Sequence, residues 1–412
     1  MKLLILTQYY PPETGAPQNR LSDLAQRLSA AGHDITVLTA MPNYPRMEIF
    51  EAYRGKKFVT ETLNGVSIIR TSIYVSKKKS ILARLRNYFS FVWSSAMASG
   101  KLAPHYDFLM CESPPLFLGY SAMFLARRKK AHLIFNVSDL WPESAEKLGV
   151  VTNPLLLKLA YNLEAKCYQR AALVSGQTQG ICKDIQHRFP TVKTFWLPNG
   201  ADLNFYNPTT IDAGNWRSEN GFATDDYIIL YAGIIGIAQG LEIIPKTAEF
   251  FRDQKNIRFV MIGAGPETSQ LQAMIQSKGL HNVSLLPAVL KEEMPSILKS
   301  VNAALIPLRK LELFRGAIPS KIFEALAMEL PLLLGVDGES RELFINQGKC
   351  GMYFEPENHT SLVAAIKLLV SNHEQARQMG VNGRKFVLEH FNRATIAENF
   401  AYQLETLSSI KK

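Results

Sequence analysis

With 412 residues, 47% of them hydrophobic, the chain exceeds what one core fills, since single cores stop growing near ~250–300 residues, and two domains are expected. No apolar run approaches the ~18 residues of a membrane-spanning helix, and the start, MKLLILTQYYPPE, reads as a strand meeting Pro-Pro rather than a cleavable leader, so a cytoplasmic protein is expected. The net charge of +10 is lopsided: between Arg54 and Lys130 there are 14 basic and 3 acidic residues, which reads either as solvated charge or as attraction to an anionic surface or substrate.

In chain order, KLLILT is a compact apolar strand, followed by the turn YYPPETGAP, a helical pattern from Gln18 to Ala31, a stop at Gly32 and a second strand, DITVLT. Asn64-Gly65 marks a hairpin. Further strands are predicted at FLMCE, HLIFNV, ALVSG and TFWLP, between helical patterns such as Leu155 to Arg170. The stretch NFYNPTTIDAGNWRSENGFATDD is rich in turn formers and reads as a linker, giving domains at 1–205 and 206–391. YIILYAG, IRFVMIG, VSLLPA, AALIPL, PLLLGV and GMYF then alternate with helices, a second parallel sheet, and residues 392–412 form a helix expected to pack back on the first domain. The fold class is therefore α/β, two Rossmann-like doubly wound parallel sheets facing each other across a cleft, where ligands of such sheets bind. Cys111, Cys167, Cys182 and Cys350 form no C-x-x-C pair, so neither a zinc site nor a disulfide framework is indicated.

Two glycine turns in the second domain carry the first chemical signal. Gly233 and Gly236 follow one strand and Gly263 and Gly265 the next, where backbone N–H groups can approach a phosphate. Each turn alone also suits plain strand-to-helix packing; together they favour a nucleotide diphosphate. The stretch GAIPSKIFEALAMELPLLLG adds Pro319, a possible cap at Ser320, Lys321 placed to meet a pyrophosphate, and Glu324 one turn on, suited to ribose hydroxyls.

With these residues the chain resembles a family 4 retaining glycosyltransferase of GT-B fold over nearly its whole length, through PPETGAPQNR, GHDITVLT, LPNGAD, the YAG…QGLE turn and PSKIFEALAMELPLLLGVDGES. MPNYP, DLWPES and PSK are similar to the bacterial O-antigen and capsule branch that includes WbuB-type L-fucosaminyltransferases. The resemblance implies transfer of a sugar from a nucleotide diphosphate, with uracil the expected base, with retention and without a metal or other cofactor. It places Gly15 and Ala16 near the pyrophosphate, with Gly233, Gly236, Gln239, Gly263, Gly265, Arg309, Pro319, Ser320, Lys321 and Glu324 around the donor. Asp139 and Lys321 are the candidate catalytic residues, although Asp139 taken alone also reads as a turn aspartate. Two departures stand out: the first glutamate of the family's Glu-x7-Glu signature falls on Gly316, and its arginine and lysine after the first strand fall on Ile234 and Gln239. Phosphate charge is then expected from Lys321, with Arg309, Lys310, Arg315 and Arg20 behind it.

Arg20, Asn43, Tyr44, Trp141 and Glu143 are the acceptor-side candidates. A polyprenyl-diphosphate-linked acceptor is expected, with the protein peripheral on the inner leaflet through basic residues 54–130. In the stretch SKKKSILARLRNYFSFVW, Ile81, Leu85, Tyr88 and Val92 share one helical face, either core or membrane-facing. A nucleic-acid partner is not expected, and oligomeric state is not legible. A sugar epimerase of the same fold and a non-catalytic membrane-associated partner remain open alternatives.

Overall fold

The computed structural model describes residues 1–78 and 80–409, without the side chain of Ile81. Lys79, the Ile81 side chain and the last three positions of the 392–412 segment therefore lie outside the described residues. The chain divides into two compact units: Met1–Pro198 with the segment from Ala394 onward, and Asn199–Arg393.

The first unit holds, among the described residues, an eight-stranded sheet: β1 (Lys2–Leu6), β2 (Asp34–Ala40), β3 (Phe58–Leu63), β4 (Val66–Thr71), β5 (Phe108–Ser113), β6 (His132–Val137), β7 (Leu173–Gly176) and β8 (Thr194–Trp196). Their order is β3-β4-β2-β1-β5-β6-β7-β8, parallel throughout except for the β3–β4 hairpin. That hairpin turns on Asn64 and Gly65, both at positive φ (49° and 81°), the backbone a two-residue turn between right-twisted strands requires.

Alternation along β1 shows why the strand is apolar without a break. Leu4 and Leu6 enter one core and Leu3 and Ile5 the other, since successive side chains point to opposite faces of a sheet covered on both. The first core lies under α2 (Ile81–Met97), α3 (Leu118–Lys129), α5 (Pro154–Arg170) and α6 (Gln179–Arg188). The second lies under α1 (Ala16–Ala30) and the C-terminal helix Arg393–Ser409, which contributes Ala397, Phe400, Leu404 and Leu407. A short helix, α4 (Glu143–Lys147), follows β6. All four cysteines are buried and unbridged.

The second unit holds, among its described residues, a six-stranded parallel sheet, β9 (Tyr227–Ala232), β10 (Ile257–Ile262), β11 (Val283–Leu286), β12 (Ala303–Pro307), β13 (Leu332–Gly335) and β14 (Gly351–Tyr353), in the order β11-β10-β9-β12-β13-β14. Its helices include α7 (Trp216–Glu219), α8 (Ile243–Phe250), α9 (Thr268–Ser277), α10 (Met294–Lys299) and α11 (Lys321–Ala327).

The turn-rich stretch after Ala201 is not a linker, which corrects the boundary expected at 205/206. It is bound into the second unit by long cationic side chains. Arg217 on α7 donates to the carbonyls of Ala223, Thr224, Asp226 and Ser300 and to Asn302 Oδ1. Lys299 reaches Pro208 O at 2.9 Å, and Arg384 reaches Tyr206 O at 3.1 Å. Irregular backbone is tolerated here because its carbonyls receive these donors.

Candidate functional site

In the second unit the glycine turns after β9 and β10 pack on each other. A Cβ at Gly263 would stand 1.9 Å from Gly233 O, and one at Gly265 would stand 2.1 Å from Ile235 O. Ile235 N donates to Ala264 O at 3.0 Å and Glu267 N to Ile235 O at 3.2 Å. Gly263 and Gly265 are thus required by backbone-to-backbone contact, and the phosphate-cradling role expected of them is not the one the geometry displays. Gly233 differs. Its φ of +142° and missing side chain leave room for Lys321, whose Nζ would lie 2.9 Å from an added Cβ.

Lys321 opens α11, with its Nζ 3.8 Å from the centre of the Tyr231 ring. The ring is fixed from its far end, where the Tyr231 hydroxyl donates to Ile234 O at 2.6 Å. A cation over an aromatic face gains ~0.5–2 kcal/mol, which does not replace the lost hydration. Burial accordingly pulls the Lys321 ammonium down from 10.5 to about 7, with Glu324 opposing. Among the described residues no carboxylate pairs with the half-buried Lys321 at ion-pair distance, and Glu324 offsets its burial only in part.

Glu324 faces a different set of partners. Its carboxylate accepts from the Tyr206 hydroxyl and feels the charges of Arg393, Lys291 and Lys321, while burial raises its pKa. Arg393 is itself anchored to Gly200 O at 2.8 Å and Asn199 Oδ1 at 3.3 Å. Pro319 and Ser320 precede the helix, but Ser320 is helical in its own backbone and makes no side-chain cap, contrary to expectation. With α11 only seven residues long, positive charge comes mainly from the lysine, not from a helix dipole.

The other expected phosphate cations are already engaged. Arg309 Nε donates to Ile237 O at 2.6 Å and its guanidinium pairs with Glu242 at 3.1 Å and Glu267 at 4.0 Å. Arg309 therefore staples the loop around Gly236 and Gln239, where Gln239 ends the short turn Ile237–Gln239. Lys310 pairs with Glu355 and Arg315 with Glu312. At Gly316, an added Cβ meets nothing within 4 Å, so packing does not impose the loss of the signature glutamate.

In the first unit, Arg20 is bound in a buried ion pair with Glu112 at 2.7 Å, both side chains at most 6% exposed. Glu112 also accepts from Asn136 at 2.5 Å and from Ser138, and Gln177 lies 2.6 Å from Ser138 Oγ. Arg20 is thus a member of a buried network and no free cation; its Nη1 is buried without a partner among the described residues. Asn43 is fully buried, and its backbone N–H donates to Glu13 at 2.8 Å, so it holds a loop instead of presenting a side chain.

Glu13, unremarked in the sequence, gathers the backbone N–H groups of Tyr10, Asn43 and Tyr44 at 2.8–3.1 Å and joins the loops after β1 and β2. Burial pushes its pKa up against those three donors. Tyr44 stacks edge-on with Tyr9 at 5.8 Å. Gly15 is extended and Ala16 begins α1.

Asp139 is exposed and accepts from Ser144 Oγ at 2.8 Å, with its pKa raised by surrounding protein and secondarily by Glu143. The Ser144 contact uses one carboxylate oxygen and ties Asp139 to the start of α4. Glu143 pairs with Lys147 at 2.5 Å, and Trp141 packs edge-on against Phe117 at 5.4 Å. Sequence reading missed Glu112, Glu13, Tyr206 and Tyr231. A carboxylate inside the apolar strand FLMCES was the one available signal.

Two Rossmann-like α/β units of this kind, one with Lys321 beside a glycine turn, have the GT-B architecture. Residues 15–200 match the family model described as Glycosyl transferase 4-like domain, and residues 212–386 that of Glycosyl transferases group 1. WcaI of Escherichia coli (strain K12), named for a glycosyl transferase role in colanic acid biosynthesis, is 27% identical over 390 residues, 90% of this chain and 93% of that protein. Sucrose-phosphate synthase of Thermosynechococcus elongatus superposes with a TM-score of 0.78 at 16% identity over 99% of both chains. Anabaena HepE, solved with UDP and glucose, gives 0.71 at 17% identity over 98% of this chain and 100% of that one. The chain is a glycosyltransferase, its two halves belonging to these two domain families.

Proposed function

We propose that the chain transfers a sugar, with retention, from a UDP-linked donor to a polyprenyl-diphosphate-linked acceptor during assembly of a surface polysaccharide. The observation that carries the reading is Lys321: a half-buried ammonium, free of a carboxylate partner among the described residues, at a turn where Gly233 lacks a side chain. A diphosphate supplies the missing anion. Glu324, one turn further and held by Tyr206, suits the ribose hydroxyls. Support for the donor base comes from HepE, which binds UDP and glucose; support for the pathway class comes from WcaI. The motifs MPNYP, DLWPES and PSK favour an amino-deoxysugar such as N-acetyl-L-fucosamine.

In the reaction the bond from the sugar's anomeric carbon to the diphosphate breaks, and the acceptor hydroxyl forms its bond on the same face. The acceptor's proton passes to the departing phosphate oxygen, whose developing charge Lys321 stabilises. Asp139 is the carboxylate proposed to steady positive charge on the sugar.

A panel of UDP-, GDP- and dTDP-sugars screened for protection against heat tests this. UDP-sugars are expected to raise the unfolding midpoint, and Glu324→Ala to lose most of that shift. Equal protection of both proteins would remove Glu324 from the site.

A further inference from the structure

The helix expected to carry a single apolar stripe has two. Among the residues expected to share one face, Leu85, Tyr88 and Val92 are all partly buried, beside the fully buried Phe91. Val92 packs against the core beneath α2, so that face belongs to the protein interior. The face turned away from Phe91 carries Leu82, Phe89, Trp93 and Met97, spaced by seven, four and four residues, with Trp93 71% and Met97 68% exposed. Such spacing keeps all four on one side of a helix.

The neighbouring helices continue this surface. α2 packs beside α3 and α3 beside α5, and all three cover the same core. Tyr120 and Phe124 are exposed on α3, and Leu155, Leu156 and Leu159 on α5, Leu155 at 65%. Scattered exposed apolar residues need no explanation, but a run of them across adjacent helices marks an interaction surface.

Charge decides the occupant. The three helices carry Arg84, Arg86, Arg127, Arg128, Lys158, Lys166 and Arg170 at exposed positions. Their single carboxylate, Glu164, is 1% exposed and held by Arg188 at 2.8 Å. A second copy of the chain would set arginine against arginine. An anionic bilayer offers both an apolar interior for the aromatic side chains and negative headgroups for the cations. No helix among the described residues is long and apolar enough to cross a membrane, so contact would be with one leaflet.

We propose that the outward face of α2, α3 and α5 inserts Phe89, Trp93, Tyr120 and Phe124 into the headgroup region of an anionic leaflet, with the flanking arginines and lysines on lipid phosphates. This deepens the proposal of a lipid-borne acceptor and rests on it, but is read out separately from donor binding.

The test is flotation of the full chain with phosphatidylcholine vesicles, with and without phosphatidylglycerol, at low and high salt, for the parent and for the double variant W93E/F124E. The parent is expected to float with phosphatidylglycerol vesicles and to do so less at high salt. The double variant is expected to bind about a hundredfold more weakly, from the loss of two inserted aromatic side chains. Unchanged heat protection of the variant by nucleotide-sugar shows that it is folded and that the donor reading stands apart. Equal flotation of parent and variant would overturn the face, and so would failure of the parent to float with either vesicle. Sedimentation showing a parent dimer that W93E/F124E converts to monomer would reassign the face to self-association and likewise overturn the proposal.

Discussion

Lys321→Met is expected to lower kcat/KM for the nucleotide-sugar about a hundredfold, the cost of deleting one preorganised charge at a leaving phosphate, while making the unliganded protein more heat-stable below pH 7. The second effect follows from the direction of the pKa shift. The folded chain holds the Lys321 proton only up to about pH 7, against 10.5 for an ordinary lysine. Below pH 7 the ammonium is charged in both states, and the folded state bears its full desolvation cost. As pH rises through 7 the folded state sheds the proton, the cost is relieved, and stability rises toward pH 10.5. Methionine keeps the bulk over Tyr231 and removes the charge, so its gain in unfolding midpoint is largest on the acid side and shrinks above pH 7. Lost activity together with lost acid stability would instead describe a merely structural lysine. Thermal scans across pH, beside steady-state kinetics, separate the two.

The largest stability effect is expected in the first unit. Glu112→Ala leaves the Arg20 guanidinium buried without the carboxylate that neutralises it and strands Asn136 and Ser138, which donate to the same carboxylate. Removing one partner of a buried pair costs ~3–5 kcal/mol. At roughly 2–4 °C per kcal/mol for a unit of this size, the unfolding midpoint should drop by about 6–20 °C. The paired substitution Arg20→Met with Glu112→Leu should recover most of the loss, since neither charge is then left alone in the interior. Differential scanning calorimetry checks both, and a double variant no more stable than Glu112→Ala would show that the pair does more than satisfy itself.

The contrast between these two sites shows where sequence is legible. Unbroken apolar runs such as KLLIL could only be strands covered on both faces, and Asn64-Gly65 could only be a tight turn; both signals are local. That Lys321 and Glu324 share one turn of one helix was legible for the same reason. The partners that define them were not, because Tyr231 and Tyr206 come from segments 90 and more residues away. Arg20 reads from sequence as an available cation, and only a contact with Glu112 across 92 residues removes it from the surface. The supposed linker failed likewise: turn formers predict irregular backbone, but not that Arg217 would bind it to Ser300, 83 residues on. In α2 the periodicity was legible but left core and membrane open, because a helix apolar on two faces does not declare which one meets the core.

Isothermal titration calorimetry at pH 8, in two buffers of different ionisation enthalpy, addresses Lys321 most directly. With the ammonium at about 7 before binding and raised by the diphosphate afterwards, each nucleotide-sugar bound should draw close to one proton from the buffer. Lys321→Met should draw far less and bind more weakly. Tight binding by both proteins with no proton uptake in either would mean that the donor's diphosphate does not meet Lys321.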